Sequence, residues 1–383
     1  MSRRATSPST PSATVADFAD ALDRLCPPAL AEDWDNTGLL LGRRTDPVAR
    51  VMLCIDLVDS VVDEAIAREV DAIVAYHPPI FGGIAALTAD TAQGSALLAT
   101  IQAGIAVHSP HTAADAAVGG VNDWLAEGVG DGEVEAIRPA STLPSGEAFK
   151  IVTFAPTESI ESVRTALGSA GCGRIGDYDL CSIEIPILGT FRGGDATNPA
   201  VGRRGRLERV EERRLEMVCG KSDLGAAVAA LRSTHPYEEP AFEIHPLVGR
   251  PDASIGAGRI VRLDAPAKAT TLVERLRAHL RTDRFSIHEP NPRRRHEVIG
   301  LCAGSGGELV ADAVSRGATL FLTGELKHHD VLDASRLGAS VILAGHTNTE
   351  RGWLKVLARR LRRALPGVDC AVSRTDRDPL RAV

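Results

Sequence analysis

The stretch His346-Thr347-Asn348-Thr349-Glu350 follows directly on the apolar run Ser340-Val341-Ile342-Leu343-Ala344-Gly345, and its reading decides the fold. Residues 341–344 are short, β-branched at their start and closed by Gly345, the pattern of a buried strand. Beyond them Leu354, Leu357, Ala358 and Leu361 recur at helical spacing within residues 351–365. A histidine and a glutamate therefore stand where a strand hands over to a helix, the edge of an open α/β sheet at which ligands bind. A neutral imidazole and a carboxylate four residues apart can converge on one cation. A lone strand-end histidine is equally at home as a hydrogen-bonded part of the scaffold, so the decision rests on how the other strands end.

Several end the same way. Strand 51–55 closes at Asp56, and residues 71–75 run into Tyr76-His77-Pro78-Pro79-Ile80-Phe81. Gly104 to Val107 leads into His108-Ser109-Pro110-His111, with Asp115 four residues on at the opening of a helix. Thr319 to Leu322 leads into Thr323-Gly324-Glu325-Leu326-Lys327-His328-His329-Asp330. Helical stretches separate these runs, giving βα units in series and hence a mixed or parallel sheet with helices on its faces. Six of the 11 histidines (77, 108, 111, 328, 329 and 346) fall at four strand ends, which scattered structural histidines would not do. A metal site is expected. Imidazole with carboxylate suits zinc, iron or manganese, and the lack of thiolates argues against a structural zinc. Several carboxylates would let one bridge two ions roughly 3.5–4 Å apart, as in many hydrolases, and so bring the pKa of a bound water toward neutrality. GxSxG and a P-loop lysine are missing, and no Rossmann fingerprint joins a strand to a helix. Gly304-Ser305-Gly306-Gly307 at a helix start is either a set of backbone amides for a phosphate or a plain turn.

Upstream, Thr14 can cap a helix whose Val15, Phe18, Ala19, Leu22 and Leu25 follow the 3.6 period until Pro27-Pro28. Residues 1–13, rich in Ser, Thr and Pro, read as a disordered tail without the h-region of a signal peptide. Trp34-Asp35-Asn36-Thr37-Gly38 is a polar turn, either an Asx-type turn over a packed Trp or a loop carrying Asp35 and Asn36 to a pocket. From about residue 146 the texture changes. A strand at 150–154, a helix at 158–169 capped by Ser159, a strand at 179–185, an irregular Gly-rich stretch over 189–205, a strand at 215–219, a helix at 223–232 and a strand at 241–247 resemble a ferredoxin-like βαββαβ unit with a long hairpin insertion. The chain divides accordingly into a tail at 1–13, an N-terminal α/β lobe at 14–145, an inserted α+β domain at 146–250 and a C-terminal α/β lobe at 251–383.

Composition sets the bounds. The 383 residues, 44% hydrophobic and 24% charged, are ordinary for a globular protein and allow two or three domains. A net charge of −7 offers no global field for nucleic acid. Pro292-Arg293-Arg294-Arg295-His296 reads as a solvated turn, and Arg359, Arg360, Arg362 and Arg363 as the wet face of the last helix. Seven cysteines, an odd number without a CxxC pair, argue for reduced thiols in a cytoplasm. No apolar run approaches the roughly 18 residues that span a bilayer.

Trp34-Asp35-Asn36-Thr37-Gly38-Leu39-Leu40-Leu41-Gly42, the Tyr76 to Phe81 run, His108-Ser109-Pro110-His111-Thr112-Ala113-Ala114-Asp115-Ala116-Ala117, the Thr323 to Asp330 run and Gly345-His346-Thr347-Asn348-Thr349-Glu350-Arg351 together resemble the GTP cyclohydrolase 1 type 2 family, also called Nif-three-like or dinuclear-metal-centre proteins. His235-Pro236-Tyr237-Glu238-Glu239-Pro240-Ala241 is similar to the signature of the PII/CutA-like inserted domain of its longer members; read by itself it is a turn locked by two prolines. The resemblance implies two related α/β lobes forming one discontinuous domain, a toroidal homohexamer, and two divalent metal ions. It places the ligands at His77, Asp115, His346 and Glu350, with Asp115 and Glu350 as shared carboxylates. Tyr76 stands where the family usually has the first histidine of a pair, and a phenol with pKa near 10 is a poorer ligand than imidazole. Glu325, His329 and His111 are then candidates for acid–base or supporting roles. The function implied is metal-dependent hydrolysis of a nucleotide or phosphate-containing small molecule, GTP if the family name is literal. The alternative is a non-catalytic metal-binding ring that serves as scaffold or regulator.

Overall fold

The computed structural model describes residues 13–144 and 146–380; of the tail expected at 1–13, all but Ala13 lies outside the described residues. The chain forms two compact units, one made of the chain up to Ala140 together with Asp252 onward, the other of Ser141–Pro251.

The larger unit is an α/β fold on two mixed sheets. In one, Asp369–Val372, Arg50–Cys54, Ala72–Ala75 and Ala106–Ser109 lie parallel in that spatial order, and Gly38–Leu41 closes the edge antiparallel. In the other, His296–Ser305, Leu320–Glu325 and Ser340–Leu343 are parallel, with Ser286–His288 antiparallel at one edge and Arg259–Ala267 followed by Gly132–Glu135 antiparallel at the other. The parallel strands are apolar without alternation because both faces are covered. Leu53 and Val74 face a core that includes Phe18 and Leu22 of helix Val15–Leu25, while Met52 and Ile73 pack with Val61 and Ala65 of helix Asp59–Ala67. Thr14 caps the first of these helices in a reciprocal capping box with Asp17.

Sheet membership crosses the order of the chain. Gly132–Glu135 belongs to the sheet built by residues 259–343, and Asp369–Val372 belongs to the sheet built by residues 38–109. The two sheets share one core, in which Leu53, Val74, Val261, Leu301, Trp353 and Leu357 are buried together. The helix expected over 351–365 is interrupted: Asn348–Arg351 is a single turn, and Leu354–Ala364 resumes after Gly352. A Cβ on Gly352 would lie 2.1 Å from the Trp124 ring, and the Trp353 indole N–H donates to the Gly119 carbonyl at 3.0 Å. Close packing of two tryptophans thus sets the break. Arg360, expected on the wet face, also donates to the Gly119 carbonyl, at 2.8 Å.

The Ser141–Pro251 unit holds an all-antiparallel sheet in the spatial order Ser182–Arg192, Leu207–Cys219, Phe149–Pro156, Phe242–Pro246. Helices Ile160–Ser169 and Leu224–Thr234 pack Val163, Leu167, Ala227 and Leu231 against Ile151, Leu215 and Met217. The element order is β-α-β-β-α-β. The stretch expected to be irregular over 189–205 is partly strand, since Ser182 to Arg192 pairs without a break with Met217 to Leu207. Ser159 makes no side-chain cap; Thr157–Ser159 instead forms a 3-10 turn ahead of the helix. All seven cysteines are free. Among the described residues no helix is long and apolar enough to cross a membrane.

Arg259 fastens the segment that follows Asp115. Only 1% exposed, it donates to the Asp123 carboxylate and to the carbonyls of Gly256, Gly258, Ala116 and Ala117 at 2.7–3.3 Å. Replacing it removes the buried end of an ion pair together with its hydrogen bonds to four carbonyls. Arg259→Leu should therefore lower the unfolding free energy by about 3–5 kcal/mol. Arg262→Leu, at an exposed position on the same strand, should stay within about 0.5 kcal/mol. Urea unfolding of the two variants, followed by tryptophan fluorescence, compares them.

Candidate metal centre

Four strand ends of the larger unit line one cavity of about 210 Å³, among them Tyr76, His111, Asp115, Gly304, His346 and Glu350. Tyr76 and His77 prolong strand Ala72–Ala75, their amides bonding the Cys54 and Ile55 carbonyls at 2.9 and 3.0 Å. Tyr76 is fully buried and His77 borders a hollow beside Asp56 and Pro78, and with ring centres 5.2 Å apart both reach the same site. Gly345, at φ +85°, turns strand Ser340–Leu343 toward the helix; a Cβ there would meet the Asn348 amide nitrogen at 2.7 Å. His346 and Glu350 then lie on one turn.

His77, His346 and Glu350 each offer a ligand atom within 4.8 Å of the others. His77 Nε2 is 3.6 Å from Glu350 Oε2, and His346 Nε2 is 3.3 Å from Glu350 Oε1. Two donors each ~2.05 Å from a tetrahedral ion stand ~3.3 Å apart, so the spacing suits a shared cation. The remaining ring nitrogens are tied off, His77 Nδ1 to Asp56 at 2.8 Å and His346 Nδ1 to Glu325 at 3.1 Å. Such carboxylate partners orient an imidazole toward a metal. Glu350 is 3% exposed, and among the described residues its Oε2 has no hydrogen-bond partner. A Cβ on Gly304 would lie 2.6 Å from Glu350 Oε1 and 3.1 Å from His346 Nε2, so this glycine keeps space open where the donors meet. An unpartnered buried oxygen, two oriented imidazoles and a hollow between them fit one divalent cation.

Asp115 is half-buried beside this triad and accepts the Tyr76 hydroxyl. Burial pushes its carboxyl up to about 7; the Tyr76 hydrogen bond works against that and the Glu350 charge adds to it. Burial and the Asp115 charge hold the Tyr76 phenol well above its ordinary range, so it is a neutral donor. Burial acts to lower His77, but Asp56 and Glu350 outweigh it and raise the imidazole to about 10. His111 Nδ1 meets Asp35 Oδ1 at 2.7 Å, and the other Asp35 oxygen accepts the Thr112 amide at 3.1 Å. Burial alone would raise Asp35; hydrogen bonds from His111, Thr112 and the Asn36 amide bring it to about 2 instead. His111 opens its helix at φ +26°, a strained setting for a residue with a Cβ.

The structure thus gathers Tyr76, His77, His111, Asp115, His346 and Glu350. Glu325 stands at the rim, 60% exposed, holding His346. His329 is exposed on helix His328–Arg336 beside His328 and does not line the cavity. Asp56 is not among the sequence candidates, although it obeys the same strand-end rule, and Asp35 enters there only through the loop reading of its turn, without a role. The glycine loop carries no free cradle at two of its amides: Gly304 N donates to Thr349 Oγ1 at 2.8 Å and Gly306 N to Thr323 Oγ1 at 3.1 Å.

Mixed sheets whose strand ends converge on a His–His–Glu cluster define a metal-associated α/β protein. The chain belongs to the Duf34/NIF3 (NGG1p interacting factor 3) family, whose pattern it matches over residues 13–379. It is 35% identical to a GTP cyclohydrolase 1 type 2 homolog of Bacillus subtilis over 93% of this chain and 95% of that one. It is 34% identical to mouse NIF3-like protein 1 over 93% and 89% of the two chains. Among solved structures, a Bacillus cereus protein related to NIF3 is similar with a TM-score of 0.73 at 30% identity, covering 97% of this chain and 99% of the other.

Two outcomes follow from the geometry. Gly304→Ala should weaken divalent-cation binding at least tenfold without unfolding the protein, measured by competition with a chromophoric chelator and by circular dichroism. His77 must shed a proton held up to about pH 10 before its Nε2 can accept a cation. Its charged form is therefore favoured below that pH and competes with the metal, so affinity should rise about tenfold per pH unit from pH 6.5 to 9. The same titration of His77→Gln should be flatter; an equal slope in both proteins removes His77 from the site.

Proposed function

We propose that this protein is a metal-dependent hydrolase of a nucleotide or other phosphate-containing small molecule. The observation that carries the reading is the unpartnered buried oxygen of Glu350 between two imidazoles whose far nitrogens are held by carboxylates. The name of the bacterial relatives supports a purine nucleotide, with GTP as the first substrate to test.

His77, His346 and Glu350 would hold the principal cation, and Asp56 and Glu325 would aim the imidazoles. Asp115 would share a second cation with Glu350, and because Tyr76 offers a neutral phenol there, that second ion would be the weaker one. When bound, the metal supplies Lewis acidity and an acidified water. His111, backed by Asp35, would move a proton at Nε2. At about 210 Å³ the cavity is below the usual size of a ligand pocket, so it would admit the reacting end of a substrate and leave the rest outside. His329, exposed and remote from the cavity lining, takes no part in this scheme.

A second reading, a non-catalytic metal-binding scaffold regulated through a PII/CutA-like module, is supported by the βαββαβ order of residues 141–251 and by a cavity of their own. Metal analysis of the purified protein, followed by turnover of a panel of nucleotides and phosphoesters with and without chelator, separates the two. Under the hydrolase reading, Glu350→Gln and His346→Ala lose at least a hundredfold in kcat while circular dichroism is unchanged. A zinc-, manganese- or iron-loaded wild type that turns over nothing leaves the scaffold; a preparation that binds none of these ions removes both.

A further inference from the structure

The Ser141–Pro251 unit contains a cavity of about 410 Å³ that is separate in chemistry from the metal centre. It lies on the sheet face opposite the helices. Leu215 and Met217 point to the helices, so Glu212, of opposite parity on the same strand, points away, and it pairs across the sheet with Ile187. Phe154, Ile187, Phe191, Pro199 and Tyr237 give the cavity an apolar and aromatic wall. The Pro236 and Pro240 turn carries Tyr237 over it, and His235 fixes the base of that turn through Nε2 to the Phe154 carbonyl at 3.0 Å.

Glu212 is the anomaly in this wall. It is 8% exposed, and its Oε1 accepts the Tyr237 hydroxyl at 2.5 Å. Among the described residues its Oε2 has no hydrogen-bond partner and neither oxygen has a salt-bridge partner. Arg214, the basic neighbour on the same face, is engaged with Glu216 at 2.8 Å. Arg192 lines the cavity but is exposed, and Glu238 and Glu239 add two further carboxylates at the mouth. Burial and Glu212 push the Tyr237 phenol up, so it stays a neutral donor. A buried carboxylate without a cation is unfavourable, and faces of Phe and Tyr attract ammonium groups. The volume falls within the range of small-molecule sites.

The geometry points to a binding site for a small organic ammonium ion with an apolar body, its charge against Glu212 Oε2 and its body among Phe154, Phe191 and Tyr237. This goes beyond the metal-centre reading and does not depend on it. The test is calorimetric titration of the full-length protein with tryptamine, phenethylamine and spermidine, with indole-3-acetate and phenethyl alcohol as anionic and neutral counterparts. Tryptamine or phenethylamine should bind more tightly than spermidine, which lacks the apolar body, and indole-3-acetate and phenethyl alcohol should not bind. Glu212→Gln should weaken that amine at least tenfold while the metal titration is unchanged. Gly189→Ala keeps the charge but puts a Cβ 2.2 Å from Glu212 Oε2, and it should weaken the amine as well. Absence of amine binding to wild type, equal binding of the counterparts, or full affinity in both variants overturns the proposal.

Discussion

A carboxylate taken out of water between two imidazoles, with one oxygen left unbonded, is unfavourable by an amount on the order of several kcal/mol unless a cation compensates it. Glu350 is in that position, and much of the larger unit serves to keep it there. The turn after strand Ser340–Leu343 needs the positive φ of Gly345 to bring Glu350 back over His346. The bare backbone of Gly304 leaves room for the carboxylate. Thr349, next to Glu350, accepts the Gly304 amide and donates to the His346 carbonyl at 2.6 Å, so the wall and the ligand turn move as one piece.

The donors come from two sheets, so their spacing depends on how those sheets are joined. His77 belongs to the sheet that contains Ala72–Ala75, and His346 and Glu350 follow a strand of the other. The sheets are joined by a common core and by an exchange of edge strands, Gly132–Glu135 to one and Asp369–Val372 to the other. Arg259 adds a polar clasp, binding the carbonyls just after Asp115 to the start of its own strand. Asn122 adds another, since its amide donates to the Asp115 carbonyl and its oxygen accepts the Ala303 amide at 2.8 Å. A site assembled from opposite ends of the chain needs such ties if its donors are to stay within a few tenths of an ångström of one another.

What was legible in the sequence was what is written locally. Buried parallel strands are runs of apolar residues, and the polar residues that interrupt them at the carboxyl end stand out for that reason. Leu354, Leu357, Ala358 and Leu361 mark a helix by period alone, and all four are buried. The exchanged edge strands were not legible. Gly132-Glu133-Val134-Glu135 has no apolar pattern and is a strand because Ile260 to Leu263 offers it a free edge. The long hairpin of the other unit was seen only at its apolar ends, because Ser182–Arg192 is exposed along most of its length and Gly189 breaks its pattern. Asp56 was missed as a site residue and Asp35 was left without a role because each acts through a histidine distant in sequence, His77 and His111. A pairing over so many residues leaves no local trace.

Tyr76 makes the centre asymmetric. On one side two imidazoles with fixed orientation face Glu350; on the other a neutral phenol occupies Asp115 with a hydrogen bond. Asp115 is held near neutrality by burial, and Glu350 contributes repulsion to that shift. Positive charge held at Glu350 would remove the repulsion, and the Asp115 carboxyl would then ionise in the range where it is now partly protonated. Occupancy of the His77–His346–Glu350 side would therefore be linked to ionisation of Asp115.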